Sequence, residues 1–595
     1  MSVNSFRDDE ATVSSRKLRT CLRLFSYMKS YKWSVLGVLA IMTVTVFISL
    51  INPLIIERAI DLHIKNKNLQ GLLQLGAFAI IINIIFIILV KIRMYVMAKV
   101  SNHILLEIRQ ELYVHIQSLS FQFFDSRPTG KILARIIGDV NSLKDVLVNS
   151  VTTLIPDFVT ICGVVVIMFM KDARLAAASL SSIPLMTIGV FVVQKISHKR
   201  WQVFRKKSSN LNAYVHEDLS GMAVIQSFTA EKETYETFCQ LTDEHRKSFI
   251  GAVVYADMFG AIVDFCWGLG TMVLFLVGVG MIGSQSVSVG ILVAFGTYIS
   301  MFWSPVMNLS NFYNQLVTNI SGAERIFEIL DTKPDIENTK EAFVLPELKG
   351  AVDFQDVSFT YDEGTNAETK VLEHVSFHVN PGETIALVGP TGAGKTTIVN
   401  LLSRFYEIQN RTILVDQYDI KKVALESLRS QMGIMTQENF IFSGTIRENI
   451  AYGKLDATDE EIIEAAKAVN AHDFIMQMEQ GYDTILKEKG AGLSIGQRQL
   501  IAFARTMVSM PKILILDEAT SSIDTQTELL VQKGIEALLK GRTSFVIAHR
   551  LSTIEKADKI FVIDKGGIIE QGTAKELLQK KGQYYKLYMA QFKNL

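Results

Sequence analysis

Gly389-Pro390-Thr391-Gly392-Ala393-Gly394-Lys395-Thr396 fits the pattern G-x-x-x-x-G-K-[ST]. It stands between an apolar run, Thr384–Val388, and a helix-like run, 397–405, that begins at Thr397. This is the strand–loop–helix context that a phosphate-binding loop requires. Glycines let successive backbone N–H groups point at one phosphate chain, and the following helix N-terminus adds a partial positive charge. Lys395 is then placed to reach the β- and γ-phosphates, and the Thr396 hydroxyl to ligate Mg²⁺. A purely structural glycine-rich turn would leave the Lys395-Thr396 pair without a reason. The stretch reads as a nucleotide site.

Downstream, Lys512-Ile513-Leu514-Ile515-Leu516-Asp517-Glu518 is an apolar run ending in two acids. A strand buried on both faces fits the core of a parallel sheet, and ligands bind at the carboxyl ends of such strands. Asp517 is placed to hold Mg²⁺ through water, and Glu518 to polarise an attacking water as general base.

The 595 residues exceed one domain, so two or three are expected. Apolar residues make up 49% of the chain and the mean hydropathy is +0.25, which places part of it in lipid. Lys+Arg and Asp+Glu are 60 each, so the net charge gives no reason to expect a nucleic-acid partner. The four cysteines, Cys21, Cys162, Cys239 and Cys266, are widely spaced and read as incidental thiols, neither a zinc site nor a disulfide framework. Asp8, Asp9 and Glu10 among the early basic residues speak against a signal or transit peptide.

Up to about Leu330 the chain carries six apolar runs, at 34–56, 72–90, 146–170, 175–194, 259–281 and 289–307. Each is near the roughly 20 residues that a helix needs to cross the hydrocarbon core. Basic residues crowd the stretches before the first run, between the second and third, and after the fourth, whereas 283–288 has none. The positive-inside rule then puts both termini in the cytoplasm. Residues 94–119 and 201–249 have amphipathic helical spacing with few breakers, so the helices of spans two to five are expected to run on into the cytosol. Residues 331–350, with Pro334 and Pro346, read as a linker, and beyond it short apolar strands alternate with amphipathic helices. The expected domains are 1–330 in the membrane, 331–350 as linker, and 351–595 as the nucleotide domain.

From 352 to 595 the chain resembles the nucleotide-binding domain of an ABC transporter. Leu493-Ser494-Ile495-Gly496-Gln497 resembles the signature Leu-Ser-Gly-Gly-Gln, and Val357-Ser358-Phe359-Thr360-Tyr361 the aromatic loop whose tyrosine stacks on adenine. Gln437 resembles the glutamine that contacts Mg²⁺ and the lytic water, Asp524 in Ser521-Ser522-Ile523-Asp524 the D-loop, and His549 the switch histidine. Glu488 resembles the exporter X-loop glutamate, although Lys487 stands where a glycine is usual. The N-terminal part is similar to exporters at Phe123-Phe124-Asp125, Thr129-Gly130, Asp139 and Ala323-Glu324-Arg325-Ile326-Phe327. The resemblance implies an all-α six-helix transmembrane domain fused to an α/β P-loop NTPase domain, with coupling regions near 126–130 and 217–223. It implies ATP and Mg²⁺ as cofactors, held by Gly389 to Thr397, Tyr361, Asp517 and Gln437. Ser494, Gly496, Gln497 and Asp524 would act on nucleotide across a dimer, and Glu518, Gln437 and His549 would carry hydrolysis.

Ile495 departs from the family at the first signature glycine. Glycine allows close approach and unusual dihedrals, whereas a β-branched residue is stiff and bulky. With the rest of the catalytic set in place, this resembles one half of a heterodimeric exporter whose partner supplies an intact signature; a homodimer with a tolerated Ile495 is the alternative. The implied activity is ATP-driven export of amphiphilic, drug-like or lipid-like solutes by alternating access, with membrane lipid and an amphiphilic small molecule as further partners. A homodimeric lipid or peptide exporter, an ATP-gated channel and a regulatory subunit remain alternatives. Asp157 and Asp264 fall within apolar runs and are candidates to attract cationic amphiphiles or to bond between helices. A half-size chain without a transit peptide fits a bacterial inner membrane.

Overall fold

The computed structural model describes residues 17–283, 287–361, 369–408, 410–436, 439–517, 525–548 and 554–592. Contacts divide these into two compact units. The first holds the chain up to Gln117 together with Thr129–Thr332; the second holds Ser118–Pro128 and the chain from Lys333 onward. The short segment Ser118–Pro128 therefore packs with the second unit although it lies within the sequence of the first.

Among the described residues of the first unit, six helical stretches are long and apolar enough to cross a membrane. They are Arg19–Ile64, Leu69–Ser118, Thr129–Lys171, Ala173–Ser220, Glu231–Gly283 and Val289–Val306, here spans one to six, the last lying within the helix Val289–Asp331. Each contains or coincides with one of the apolar runs of the sequence. A helix satisfies its own backbone groups in lipid, so long Leu/Ile/Val/Met runs adopt it there. The apolar window of span two has no buried residue, and Ile80, Ile81, Ile84 and Ile88 all face outward. The core of the unit is built around Phe295, Tyr298 and Ile299 of span six with Val164, Met168 and Leu274. Tyr298 donates to the Leu50 carbonyl at 2.8 Å, so its buried hydroxyl is satisfied.

Two features refine the sequence reading. Residues 201–249 do not form one helix: Ile183–Ser220 stops at Gly221, a short helix Met222–Ser227 follows, Thr229 adopts φ 53°, and Glu231–Gly283 begins. Gly221 donates to the Glu217 carbonyl at 2.8 Å and closes the first helix, so the chain turns back on itself. Span three is interrupted by π-helical turns at Arg135–Asp139 and Ser150–Leu154. Asp139, at the end of the first, accepts from Arg325 at 2.9 and 2.7 Å and from Arg135 at 3.1 Å.

The second unit is α/β. Its described strands are β1 (Val352–Tyr361), β2 (Thr369–Val379), β3 (Thr384–Val388), β4 (Asn410–Val415), β5 (Tyr418–Asp419), β6 (Met432–Met435), β7 (Gly444–Thr445), β8 (Ile485–Leu486), β9 (Ile513–Asp517), β10 (Thr543–Ile547), β11 (Lys559–Asp564) and β12 (Gly567–Gly572). Among the described residues they form a sheet of order β12-β11-β3-β10-β9-β6, a sheet of order β2-β1-β4-β5, and the pair β7-β8. In the first sheet β11, β3, β10, β9 and β6 run parallel and β12 is antiparallel at the edge. The four-stranded sheet is antiparallel.

The unbroken apolar runs of β3 and β9 have a simple cause. Ile385, Leu387, Ile513 and Ile515 enter one core with Ile398 and Leu401, while Ala386, Val388, Leu514 and Leu516 enter another with Ile462 and Phe503. A strand covered on both faces needs apolar side chains at every position, and each fully buried Leu or Ile stabilises by roughly 1.5–3 kcal/mol. The stretch before β1 is anchored within this unit, for the Asp416 carboxylate accepts the backbone N–H groups of Gly350 and Ala351 at 3.1 and 2.7 Å.

Candidate nucleotide site

β3 ends at Val388 and the helix begins at Lys395 and runs to Leu402, so the glycine-rich stretch is the turn between them. A methyl group on Gly389 would lie 2.1 Å from the Ile563 carbonyl oxygen, so only glycine fits there. Gly394 caps the helix with φ 106°, a left-handed conformation that disfavours any side chain, and a Cβ would also meet Leu372 at 2.7 Å. The loop is thus shaped by two separate constraints, one of space and one of dihedral. Pro390, Thr391, Gly392 and Ala393 complete it.

Lys395 Nζ donates to the carbonyl oxygens of Gly389 and Pro390, both at 2.8 Å. Burial lowers its pKa from the usual lysine range, and the nearby Asp517 carboxylate partly opposes that shift. Asp517 closes β9, two strands away from β3 across β10. The parallel register thus brings the lysine of the loop and the first acid of the 517–518 pair within electrostatic reach. Thr396 is exposed, whereas Thr397 is buried and its hydroxyl shares a 3.2 Å hydrogen bond with the Tyr361 hydroxyl. Tyr361 packs edge-on against Phe359 and Tyr406, with ring centroids 4.8 and 5.0 Å away. A cavity of about 210 Å³ opens beside it, lined by Ser120, Gln122, Asp335, Phe405 and Tyr406 among others.

The tyrosine cluster has a continuation that the sequence did not disclose. The Tyr406 hydroxyl donates to the Asp125 carboxylate, and Phe121 packs against Phe405 with centroids 4.9 Å apart. Asp125 and Phe121 belong to Ser118–Pro128, the segment that packs with this unit. Phe123-Phe124-Asp125 was noticed as a stretch, but no spacing rule links it to a tyrosine far along the chain. Asp139 and Arg325, also noticed separately, turn out to be ion-paired with each other.

Ser494 caps the helix Ile495–Val508 in a reciprocal box: its hydroxyl accepts from Gln497 N at 3.2 Å, and Gln497 Oε1 accepts from Ser494 N at 2.9 Å. Ile495 is the first residue of this helix, is not among the residues with positive φ, and is 45% exposed. The conformational half of the argument against a β-branched residue therefore fails, because the backbone here is helical and any L-residue adopts it. The steric half stands, since the side chain projects from the surface. Gly496 is buried. Gln437, Glu518, Asp524 and His549 lie outside the described residues. The strands that precede three of them, β6, β9 and β10, are parallel neighbours of one another. Between β6 and β9 a cleft of about 20 Å³ is lined by Met435, Thr436, Asn439, Gln499 and Asp517, room for about one water molecule.

The donor set suits a magnesium nucleotide. Mg²⁺ takes oxygen ligands and uses one or two carboxylates together with phosphate oxygens and waters. A hydroxyl at Thr396 and a carboxylate at Asp517 are of that kind. No cluster of three or more His, Cys, Asp or Glu side chains that would form an all-protein cage occurs among the described residues.

Comparison with known proteins agrees with this geometry. A family model described as ABC transporter transmembrane region matches residues 34–306, and one described as ABC transporter matches residues 372–521. The Bacillus subtilis protein called uncharacterized ABC transporter ATP-binding protein YknV is 40% identical over 96% of this chain and 94% of its own length. An ATP-dependent lipid A-core flippase of Syntrophus aciditrophicus is 39% identical over 82% of this chain and 80% of its own. Among solved structures, a bacterial Atm1-family ABC exporter with ATP bound superposes with a TM-score of 0.77 at 27% identity, over 94% of this chain and 98% of that one.

Proposed function

The chain belongs to the ABC transporters, as an exporter-type half-transporter embedded in a membrane with an ATP-binding domain, and from that premise we propose that it drives amphiphilic, drug-like or lipid-like solutes across the membrane by alternating access at the expense of ATP. One observation carries the reading. A single polypeptide joins six membrane-length helices to a phosphate loop whose lysine sits within reach of the acid that ends β9. One relative bears the name of a lipid flippase, which supports the lipid-like end of the substrate range.

In this reading the backbone of Gly389 to Thr397 and the Lys395 ammonium hold the phosphates, and the Tyr361 ring takes the adenine. Lys395 gives up its two carbonyl partners to do so, and those contacts are available again after release. Thr396, Asp517 and Gln437 would hold Mg²⁺, which supplies charge neutralisation at the transferring phosphate. Glu518 polarises the attacking water, and His549 steadies the charge that develops on the phosphate. Ser494, Gly496, Gln497 and Asp524 act on the nucleotide held by the other half of the dimer. A bacterial inner membrane with both termini cytoplasmic is the matching location.

The partner we favour is a different half-transporter with an intact Leu-Ser-Gly-Gly-Gln, because the exposed Ile495 side chain stands where glycine lets a lid approach closely. The ordinary helical backbone at Ile495 favours a second reading, a homodimer in which the isoleucine is accommodated. Mg-ATPase activity and native mass of the chain in lipid nanodiscs, beside Glu518→Gln, test both. Glu518-dependent turnover by a dimer of identical chains would establish the homodimer and discard the mixed pair. An inactive chain revived by co-expression with a partner carrying the intact signature would establish the mixed pair. Absence of turnover in either setting would sink the export reading.

A further inference from the structure

In the sequence Asp157 is an acid within an apolar run, and Arg93 is one of the basic residues that follow the second run. The structure brings them together. Arg93 belongs to the helix Leu69–Ser118 and Asp157 to the first turn of the helix Ile155–Lys171. Their charges interact, yet they form no ion pair in contact. Asn308, on the helix Val289–Asp331, hydrogen-bonds Asp157. Three spans thus contribute one polar side chain each to one place.

The cluster is unfinished. Arg93 Nε and Asp157 Oδ2 are buried, and neither has a hydrogen-bond partner. Buried polar atoms are costly to leave unpaired, and more so when they carry charge. Ionisable groups in membrane spans are rare and mark pathways or sites by default. The backbone adds a second sign: the π-helical turn Ser150–Leu154 runs directly into Ile155-Pro156, and the proline brings no N–H to the helix. Such π turns recur at functional positions.

The level of the cluster says what it would meet. Arg93 follows the apolar run of span two, Asp157 opens the apolar helix of span three, and Asn308 lies just past the apolar window that ends at Val306. The end of span two, the start of span three and the end of span six fall on one side of a membrane by connectivity alone. All three polar groups therefore lie nearer that side of the membrane than the other, within reach of the amphiphiles of that leaflet.

We propose that Arg93, Asp157 and Asn308 form a headgroup site that takes a zwitterionic amphiphile from that leaflet, its cationic centre on Asp157 and its anionic group on Arg93. This deepens the export reading and rests on it for its purpose. A purely cationic headgroup would be repelled by Arg93 and a purely anionic one by Asp157. One molecule carrying both charges a few ångströms apart completes both groups, with Asn308 fixing the carboxylate.

The test uses the full-length protein, with its partner if it has one, in nanodiscs. Binding is measured for three fluorescent amphiphiles of equal chain length, with phosphocholine, trimethylammonium and phosphate headgroups. The wild type is expected to bind the phosphocholine probe about tenfold or more tightly than the others. Arg93→Gln should make the trimethylammonium probe the best ligand, and Asp157→Asn the phosphate probe. The reversed pair Arg93→Asp with Asp157→Arg should restore preference for phosphocholine, which separates a binding loss from a folding loss. Equal affinity of the wild type for all three probes, or single variants that weaken all three alike, would overturn the site. ATP hydrolysis in the same discs keeps the two claims apart. Silent hydrolysis with the expected binding pattern breaks the export reading and leaves the site standing, whereas active hydrolysis with a flat pattern removes the site alone.

Discussion

The two units use the same side chains for opposite ends. In the nucleotide unit isoleucine and leucine are hidden: all four of Ile513, Leu514, Ile515 and Leu516 are 4% exposed or less, divided between two cores. In the membrane unit, span two shows its isoleucines to the outside, and its apolar window buries none. The first arrangement gains from removing apolar area from water. The second gains nothing of that kind between helices, because lipid is as apolar as the side chains. Specific polar contacts therefore carry more of the order there, as Tyr298 does on the Leu50 carbonyl, and beyond the apolar runs Arg325 and Arg135 on Asp139, and Asp61 accepting from Gly290 N at 3.0 Å, tie the helices together. A hydrogen bond lost in the membrane unit should thus harm structure, whereas one lost at the nucleotide loop should harm chemistry.

The largest effect is expected at the loop. Lys395→Ala removes a cation whose protein partners are carbonyls of its own turn, so hydrolysis should fall about 100-fold or more while thermal stability holds. Phosphate release and a melting curve on the same sample check both halves. A melting temperature that drops with the activity would break the division between the units.

Asp139→Ala is the converse experiment. It removes a carboxylate that is 15% exposed and that accepts from both Arg325 and Arg135, and about 2 kcal/mol of stability should go with it. Thermal unfolding of the purified protein should shift down by several degrees, with Asp139→Asn recovering part of the loss. An unchanged melting temperature would mean that this unit does not depend on its polar contacts.

Tyr406→Phe keeps the ring against Tyr361 and deletes the hydrogen bond to Asp125. The expected result is unchanged basal hydrolysis with stimulation by transported amphiphiles reduced up to about fivefold, the size of one hydrogen bond. Equal stimulation in both proteins would show that the bond fixes the segment in place and does no more.

The smallest effect belongs to the surface of the antiparallel sheet. The His378 pKa is raised, first by its hydrogen bond to Asp353 and then by Asn380. A histidine with a raised pKa contributes stability below its unfolded pKa, near 6.5, and loses it as pH rises through the folded value. The side chain is 54% exposed, so screening keeps the effect small. His378→Gln should lower the melting temperature by about a degree at pH 6 and not at pH 8.5.

Much of this was legible before any coordinates, for physical reasons. Apolar runs of about 20 residues have few other uses, and a phosphate loop must carry its glycines and lysine in a fixed order. β3 and β9 could be read because strands covered on both faces are continuously apolar. The antiparallel sheet could not, since its register depends on bulges in β1 and on Asp356, His374 and Arg411 taking left-handed conformations. The turn at Gly221 falls within 217–223, the stretch the family resemblance marks as a coupling region, although helical periodicity continues on both sides of the break. The hydrogen bond of Tyr406 to Asp125 and the electrostatic interaction of Arg93 with Asp157 join residues far apart in sequence, which no local pattern reports. At Ile495 the sequence misled in part, because glycine in the family pattern suggested special dihedrals and the backbone is plainly helical.

The reciprocal cap between Ser494 and Gln497 bears on how this segment can drift over generations. Both residues serve a helix of 14 residues as well as any lid, so replacing either frays a structural element before it touches turnover. Gly496, between them, is buried. Position 495 alone is exposed, helical and free of cap duty. Substitutions that selection on foldability would purge from its neighbours can persist there, and the single departure from the signature fell on that slot.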